Sequence, residues 1–502
     1  MHVSRAIYET KEIRQIERIA QEKFAISDDQ MMKKAGLSAF EFLQHRWPNA
    51  KKIAVVCGNG RNGGDGLWLS QAAHHRGFCV SIFQVGDPER QHPLTRSAYE
   101  ACLNDKLQVA PLTKNSDLTQ YDVIVDAICG IGIKGALRRE ATDAIQVIQR
   151  ASQPILALDI PTGIDADNGR VLGLAVSASA TITFIGLKIG LLIGDGLSFA
   201  GQLEVDELGL PQAIFSSVNP VANVISYEQF AKKNLKPRPR NWHKGQSGHV
   251  LIIGGDVGLS GAAVMAGEAA LRVGAGLVTI ATHATHAPFL NLRCPELIVR
   301  AVEHPNELTP LVNVADVIVV GPGLGTKSWG KVLWQTICGI QKVLVVDADG
   351  LNLLAEQDYQ RDNWVLTPHP GEAARLLNAS VAEIQNDRLL SAAKLAERYG
   401  GCIILKGAGT IIKHQKDLPW VCTQGNPGMS TAGMGDVLSG ILGGLIAQGI
   451  PLADAAALGV SIHAIAGDRA AQYGERGLIA TDLYAHIHQL SNLSETNDEY
   501  SE

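Results

Sequence analysis

The chain has 502 residues, of which 46% are hydrophobic and 19% charged, and its formal net charge is −6. This length usually serves two or three compact domains, and so much apolar material excludes a disordered chain. Nucleic-acid binding requires a basic surface, which a sequence pI of about 6.2 does not favour, so we expect no nucleic-acid partner.

Cysteine usage and hydropathy indicate the cellular setting. The eight cysteines form no CxxC pair and show no zinc spacing, as is typical of a reducing cytosol rather than of a disulfide framework. The N-terminal residues lack the apolar stretch of a secretory signal, and no uninterrupted run of 18 apolar residues could span a membrane. We therefore expect a cytoplasmic enzyme with no membrane partner.

The first half of the chain alternates between two patterns. Residues 11–24 place Ile13, Ile16 and Ala20 on one face of a predicted amphipathic helix. Strand-like runs separated by longer polar or amphipathic stretches follow at residues 52–57, 79–85, 123–127, 155–160 and 180–184. This alternation predicts βαβ units and a parallel sheet.

The composition changes around residues 225–248, where two prolines stand among several cations and predict a surface linker. The strand pattern then restarts at residues 249–254, 278–281, 317–320, 343–346, 364–366 and 402–406. We therefore predict two different α/β domains, residues 1–230 and 231–502. The last residues, from Ser491 onwards, look like a polar tail.

A glycine-rich loop follows the first strand-like run. Residues 58–63 satisfy GxGxxG, which after a strand is typical of a dinucleotide-binding turn but also fits an ordinary tight turn. Asn62 and Asp65 add polar groups that such a turn does not need. The free N–H groups where the next helix begins would also favour an anionic ligand.

Two further strand-like runs of the first domain end in polar loops. Asp126 precedes the glycine-rich segment 129–136, and Asp159 precedes Thr162. Because parallel strands converge at their carboxyl ends, we expect these side chains to face Asn62 across one crevice. Such oxygens can bind a cation or position a proton, although each residue alone could also be a cap or a turn carboxylate.

Four motifs in this order, GNGRNGGDG, DAICGIGIKGA, DIPTGID and ATITFIGLKIGLLIGDG, resemble the NAD(P)H-hydrate epimerase family over roughly residues 10–225. The resemblance implies a Rossmann-like three-layer sandwich that interconverts the S and R hydrates of NADH or NADPH. It implies hydrate contacts at Arg61, Asn62, Gly63, Gly64, Asp65, Gly130, Ile131, Gly132, Ile133, Lys134, Gly135, Ala136 and Asp159.

The same resemblance implies specific roles within this set. Asn62, Asp126 and Thr162 would hold a potassium ion, Asp159 would act as acid and base, and Lys188 is a supporting candidate. This chain departs from the family at Arg61, where the family usually has asparagine.

The second domain contains a long glycine-rich segment, residues 425–440. The apolar spacing that follows it, from Val437 to Ile446, predicts a helix, so Gly433–Gly435 would form a loop at a helix N-terminus that attracts phosphate oxygens. Asp436 falls in the first turn, where it would either cap the helix or take a proton.

Other strand ends of this domain also carry candidate site residues. The run 402–406 ends in Lys406, with Gly407, Ala408, Gly409 and Thr410 behind it, and His369 stands between two prolines. A loop histidine like this is either a ligand-binding residue or an ordinary surface residue. No GxxxxGK[ST] occurs, which excludes a P-loop nucleotide triphosphatase.

The motifs GGDVGLSGAAVMAGEAALRVGAGLV, GPGLG, VDADGLN, TPHPGE, KGAGT and NPGMSTAGMGDVLSG resemble the NAD(P)H-hydrate dehydratases over nearly all of residues 235–490. These belong to the ribokinase-like superfamily, which implies a second three-layer α/β domain. By this resemblance Ala262, Gly323, His369 and Asp436 contact the nicotinamide hydrate. The adenine nucleotide would contact Lys406, Gly407, Ala408, Gly409, Thr410, Asn426, Gly433, Met434 and Gly435.

The implied reaction uses ADP with Mg²⁺. Asp436 takes the proton of the hydrate's hydroxyl, the hydroxyl is phosphorylated, and loss of phosphate restores the dihydropyridine ring, leaving AMP. The substrates would be NADH hydrate and NADPH hydrate, and we expect a homo-oligomer.

Three alternatives stay open at this point. An ATP-dependent ribokinase-like kinase of a small molecule shares the GxGD element but leaves TPHPGE and the first domain unexplained. An NAD-dependent dehydrogenase needs a ribose-binding acid about 20 residues after its turn, for which Asp87 is the candidate. A non-catalytic module that binds nucleotide or RNA would not need Asp126, Asp159 and Thr162 together.

Overall fold

A computed structural model describes residues 6–357 and 359–492, and the chain divides after Asn223 into two compact units. Each unit is an α/β fold with a largely parallel sheet, which confirms the predicted fold class. The polar tail predicted from Ser491 lies almost entirely outside the described residues. Within those residues, no helix combines the length and the apolar character needed to cross a membrane.

The first unit is built on seven parallel strands in the order β4-β3-β2-β5-β6-β7-β9. Its strands are β1 (Ala6–Tyr8), β2 (Lys52–Cys57), β3 (Cys79–Gln84), β4 (Val109–Pro111), β5 (Val123–Ala127), β6 (Ile155–Leu158), β7 (Ala180–Phe184), β8 (Leu187–Lys188), β9 (Gln202–Asp206) and β10 (Ala222–Val224). Its helices are α1 (Thr10–Phe24), α2 (Asp28–Arg46), α3 (Arg61–His75), α4 (Pro93–Asn104), α5 (Arg139–Arg150), α6 (Gly194–Phe199) and α7 (Gln212–Phe215).

Both faces of this sheet are buried, because apolar residues of β2 serve two separate cores. Val55 packs in the core that also contains α1, α2 and α3, while the next residue, Val56, packs in the core that contains α5. Successive side chains of a strand point to opposite faces, so a continuous apolar run is what a sheet covered on both sides requires. The result is a three-layer sandwich.

The second unit has nine strands in the order β13-β12-β11-β14-β15-β16-β17-β18-β19, parallel except for the last two, which pair antiparallel. Its strands are β11 (His249–Ile253), β12 (Leu277–Thr282), β13 (Ile298–Ala301), β14 (Val317–Val320), β15 (Val343–Val346), β16 (Trp364–Leu366), β17 (Cys402–Leu405), β18 (Thr410–His414) and β19 (Trp420–Cys422). Its helices are α8 (Tyr227–Asn234), α9 (Ser260–Arg272), α10 (Leu308–Val314), α11 (Ser328–Ile337), α12 (Ala348–Leu354), α13 (Pro370–Leu377), α14 (Val381–Asn386), α15 (Arg388–Tyr399), α16 (Met434–Ala447), α17 (Leu452–Ala470) and α18 (Leu483–Leu490).

The segment predicted as a surface linker, residues 225–248, is only partly one. It contains α8, whose Tyr227 and Phe230 are buried in the core of the second unit. The Tyr227 hydroxyl donates a hydrogen bond to the carbonyl of Leu490 at 2.6 Å. Both prolines and most of the cations that suggested a linker lie after this helix, where the chain is largely exposed, while Lys232 and Lys233 lie in its last turn.

Helices α9 and α16 pack closely in the second unit, and a glycine makes the approach possible. A Cβ atom added to Gly440 would lie 2.0 Å from the carbonyl oxygen of Ala266. No side chain fits in that space, so α16 can approach α9 only with glycine at this position.

Gly440→Ala is expected to destabilise the second unit by about 1–3 kcal/mol, because the added methyl must push two packed helices apart. Gly261→Ala is the matched control, since a Cβ at Gly261 meets nothing within 4 Å. Scanning calorimetry of the full chain measures both variants. Equal melting of the Gly440→Ala variant and the unmodified protein would contradict this account of the helix contact.

Candidate active sites

In the first unit, three neighbouring parallel strands deliver their polar loops to one edge of the sheet. Strand β2 pairs with β5, and β5 with β6, so the segments that follow Cys57, Ala127 and Leu158 leave the sheet side by side. Strand β6 ends two residues earlier than expected, because Asp159 leaves the extended conformation with φ 67°. These three loops form one side of a cavity.

The cavity has a volume of about 900 Å³. Most of the residues predicted to contact the hydrate line it: Arg61, Asn62, Asp65, Gly130, Ile131, Gly132, Ile133, Lys134, Ala136 and Asp159. Gly63, Gly64 and Gly135 are not among its lining residues. A Cβ on Gly63 would lie 1.9 Å from the carbonyl oxygen of Gly58, so this glycine allows the tight turn instead.

Asp159 is held at the cavity by a buried lysine. The Lys188 ammonium lies 2.6 Å from Asp159 Oδ1 and also donates to Thr183 Oγ1 at 2.9 Å and to the Phe184 carbonyl at 2.5 Å. Lys188 is fully buried, so it is no surface lysine. A non-glycine residue at positive φ is strained, and this fixed hydrogen-bond network keeps Asp159 there.

Asp126 and Thr162 lie next to each other at full burial, and Asn62 is buried in the first turn of α3. Thr162 donates to Asp126 through its hydroxyl at 2.7 Å and its backbone N–H at 2.8 Å. Burial raises the pKa of Asp126 to about 6, against the opposing effect of the hydrogen bonds from Thr162. Neither amide atom of Asn62 has a hydrogen-bond partner among the described residues. A buried amide without a partner, at the same edge of the sheet as this carboxylate and hydroxyl, fits a bound cation.

Two acidic residues that line this cavity, Glu17 and Asp28, were not predicted as site residues. Glu17, from α1, faces the cavity with its carboxylate 3.5 Å from Arg61 Nη1, while Arg61 Nη2 lies 2.9 Å from Asp28. Burial raises the pKa of Glu17 and raises that of Asp65 strongly. In the sequence, helical periodicity marks Glu17 only as a polar position beside the buried face of α1. Nothing in the sequence indicates that Glu17 lines the cavity.

In the second unit, a glycine loop leads into α16. Gly433 precedes the helix at φ 92°, and Asp436 lies in its first turn. Burial and, to a smaller extent, the nearby carboxylate of Asp347 raise the pKa of Asp436 to about 7. Met434 and Gly435, predicted as part of the loop, belong to α16, because the helix already begins at Met434. A Cβ on Gly435 would lie 3.2 Å from Lys406 Nζ, so the first turn of the helix and the lysine meet.

A carboxylate that the sequence prediction left without a role joins these elements. Asp347 is buried and accepts hydrogen bonds from Lys406 Nζ at 2.8 Å, Thr367 Oγ1 at 2.7 Å and Ser439 Oγ at 2.7 Å. The ammonium and these donors hold the pKa of Asp347 below its usual range, although burial acts in the opposite direction. Lys406 therefore carries its charge inside a fixed network.

Of the other residues predicted to contact the hydrate in this unit, His369 lies beside this network, and Ala262 and Gly323 lie next to each other. Gly323, at φ 60°, adjoins Ala262, whose Cβ lies 3.3 Å from where a Cβ on Gly323 would be. His369 caps α13, and its Nε2 lies 3.4 Å from Glu372 Oε1. Glu372 Oε2 in turn lies 3.9 Å from Lys406 Nζ. Burial and the charge of Lys406 lower the pKa of His369, which favours a neutral imidazole.

The loop from Lys406 to Thr410 is shaped by a buried arginine. Arg388 donates from Nη2 to the carbonyls of Leu405 and Lys406, each at 3.2 Å, and of Gly409 at 3.3 Å. Gly407 and Gly409 have φ 136° and 69°. Arg388 thus holds the carbonyl groups at both ends of the loop, and Ala408 lies between these two glycines.

The remaining predicted nucleotide contacts lie in two places. Asn426 donates to Asp468 Oδ1 at 2.9 Å and caps a short turn. The side chain of Met434 is buried in the core, so only its backbone is available to a ligand.

Comparisons with known proteins match both units. Residues 28–190 match the family model described as YjeF-related protein N-terminus, and residues 250–489 match the model described as NAD(P)H-hydrate dehydratase. A bifunctional NAD(P)H-hydrate repair enzyme of Coxiella burnetii is 45% identical over 97% of this chain and 99% of its own length. This chain belongs to the bifunctional NAD(P)H-hydrate repair enzyme family.

Further matches agree with membership of this repair enzyme family. The bifunctional NAD(P)H-hydrate repair enzyme of Escherichia coli is 40% identical over 100% of this chain and 96% of its own length. A ribokinase-like superfamily protein from Enterococcus faecalis superposes with a TM-score of 0.50 and 30% identity, covering 53% of this chain and 94% of that one. The predicted fusion of an epimerase with a dehydratase is therefore confirmed over the kinase alternative.

The dehydratase rate is expected to rise with pH through about 7, because burial favours the protonated form of Asp436 and only the ionised form can accept a proton. The measurement is kcat/KM for hydrate against pH. Glu372, whose pKa burial also raises to about 7, is the other residue whose ionisation would produce this rise in rate, the acid limb of the pH profile. Persistence of the limb in a Glu372→Gln variant supports Asp436, and its disappearance there contradicts the assignment.

Proposed function

We propose that the second unit dehydrates the S form of NADH or NADPH hydrate at the expense of ADP. The observation that carries this is the convergence of Asp436, Lys406 and the Gly433–Gly435 loop at the N-terminus of α16. Free N–H groups and the helix dipole favour the phosphates there, and the raised pKa of Asp436 suits a general base near neutral pH.

In this proposal Asp436 accepts the proton of the hydrate's hydroxyl, and that oxygen attacks the β-phosphorus of ADP. The bond to the bridging oxygen breaks and AMP leaves. The ring carbon then loses phosphate while the neighbouring carbon loses a proton, which restores the double bond. The products are NAD(P)H, AMP and phosphate. Lys406 and the loop N–H groups hold the phosphates, while Ala262, Gly323 and His369 contact the nicotinamide ring.

Mg²⁺ is proposed to arrive bound to the diphosphate, where it neutralises charge. The residues fit a metal held mainly by phosphate oxygens, because both oxygens of Asp347 already accept hydrogen bonds from Lys406, Thr367 and Ser439.

The first unit is proposed to interconvert the R and S hydrates in its 900 Å³ cavity. Asp159, fixed by Lys188, transfers the proton at the hydrate's hydroxyl. Asn62, Asp126 and Thr162 would hold a potassium ion, which would supply a fixed positive charge beside the substrate. An epimerase joined to a stereospecific dehydratase allows both epimers to be repaired. The homo-oligomer and the cytoplasmic location stay predictions.

The test follows near-UV absorbance as purified protein meets mixed S and R NADH hydrate with Mg²⁺ and either ADP or ATP. Full recovery of reduced nicotinamide with ADP, faster than spontaneous epimerisation, is expected. Asp436→Asn should lower the dehydratase rate by about 10²–10⁴-fold, since it removes a general base. Lys188→Met should stop recovery at the S fraction. No recovery by the unmodified protein with either nucleotide would overturn the proposal.

Potassium is expected to raise the melting temperature of the first unit relative to sodium, because an ion that binds only the folded state stabilises it. Asp126→Asn should abolish that difference, whereas Asp117→Asn, at an exposed turn, should preserve it. Differential scanning fluorimetry in the two salts measures the effect without hydrate. Equal melting in both salts would remove potassium from the proposal.

A further inference from the structure

Asp347 lies fully buried between β15 and α12, and it forms hydrogen bonds with residues of, or directly after, four other elements. Its carboxylate accepts hydrogen bonds from Thr367 after β16, Lys406 after β17 and Ser439 in α16. Its backbone N–H donates to the carbonyl of Val320, the last residue of β14, at 3.1 Å. Asp347 Oδ2 also lies 3.4 Å from where a Cβ on Gly435 would be, so the carboxylate adjoins the first turn of α16 as well as Lys406.

The arrangement places two positive features together. The Lys406 ammonium lies 3.2 Å from where a Cβ on Gly435 would be, at the positive end of the α16 dipole. A lysine is normally unfavourable at a helix N-terminus, because the dipole and the ammonium have the same sign there. A buried carboxylate 2.8 Å from the ammonium offsets that repulsion.

We propose that Asp347 is a positioning residue of the dehydratase, whose carboxylate holds the Lys406 ammonium against the N-terminus of α16 so that the two bind one phosphate group together. The inference rests on the proposed nucleotide site. Asp347 itself touches no substrate, since both its oxygens face protein donors.

The same carboxylate also acts on the proposed base. The charged groups that face Asp436 are Asp347 and Asp349 from the start of α12, Lys406 after β17 and Glu372 in α13. Burial raises the pKa of Asp436 most, and the charge of Asp347 raises it further. Removing that charge therefore lowers the pKa of Asp436 while Lys406 stays charged beside Glu372.

The test compares Asp347→Asn with the unmodified full-length protein. Loss of a charged hydrogen bond to Lys406 is expected to raise the KM for ADP about tenfold or more. The acid limb of the dehydratase pH profile should move to lower pH. Epimerase activity on the same chain should stay unchanged, which reports an intact first unit, and the melting temperature of the second unit reports its folding. Unchanged KM for ADP together with an unmoved acid limb would overturn the proposal.

Thr367→Val is the matched control, because it removes one hydrogen bond to the same carboxylate and leaves the charge in place. Its acid limb should not move, and a shift equal to that of Asp347→Asn would show that packing rather than charge is responsible, overturning the proposal. An unmodified protein that does not use ADP would instead overturn the proposed function, before any variant is compared.

If the Asp347→Asn variant does not fold, a double variant tests the proposal instead. The double variant Asp347→Asn with Lys406→Gln removes the Lys406 ammonium together with its carboxylate partner, so it avoids the uncompensated ammonium that is the main cost of the single change. If Asp347 acts through Lys406, the double variant has the same KM for ADP as Lys406→Gln alone. A further tenfold rise in the double variant would show that Asp347 acts by another route and overturn the proposal.

Discussion

In both units a lysine ammonium and an aspartate carboxylate lie together in a buried position beside the carboxyl ends of parallel strands. Lys188 and Asp159 are 2.6 Å apart in the first unit, and Lys406 and Asp347 are 2.8 Å apart in the second. Either charge alone would be costly at such burial, and removing one partner leaves the other uncompensated. The positions of the neighbouring loops follow from this requirement, because hydroxyl, carbonyl and amide groups must complete the hydrogen bonding.

The two lysine–aspartate pairs differ in which partner faces the proposed site. In the first unit the aspartate of the pair faces the cavity, so the lysine orients the group that we assign to catalysis. In the second unit the aspartate is enclosed, and the lysine faces the glycine loop. The proposed base there, Asp436, is a separate carboxyl whose pKa burial raises to about 7. Pairing keeps Asp347 ionised, whereas burial and the charge of Asp347, opposed by Lys406, keep Asp436 near the point where it can accept and return a proton.

Glycine fulfils a related requirement in both units, which is close approach of backbone to backbone. Gly63 allows the turn after β2 to close on Gly58, and Gly440 allows α16 to reach α9. Gly63 lies in the first turn of α3, whereas Gly440 lies in the middle of α16. Each allows an approach that no larger residue would permit.

The sequence by itself determined the fold class, most sheet strands and the loops that carry polar groups, because apolar runs and glycine-rich segments are local features. Strands such as β4, β9 and β13 were missed, since they are short and none of their residues is fully buried. The helix α8 was hidden within a segment whose prolines and cations suggested a linker.

Only the tertiary structure decided which charged groups are buried and which meet. Glu17 reaches the cavity from the first helix, and Ser439 meets Asp347 from 92 residues away along the chain. The burial of Lys188 and the raised pKa of Asp436 depend on neighbours from distant segments. Burial, ion pairing and pKa are properties of distance in space, and sequence patterns report only distance along the chain.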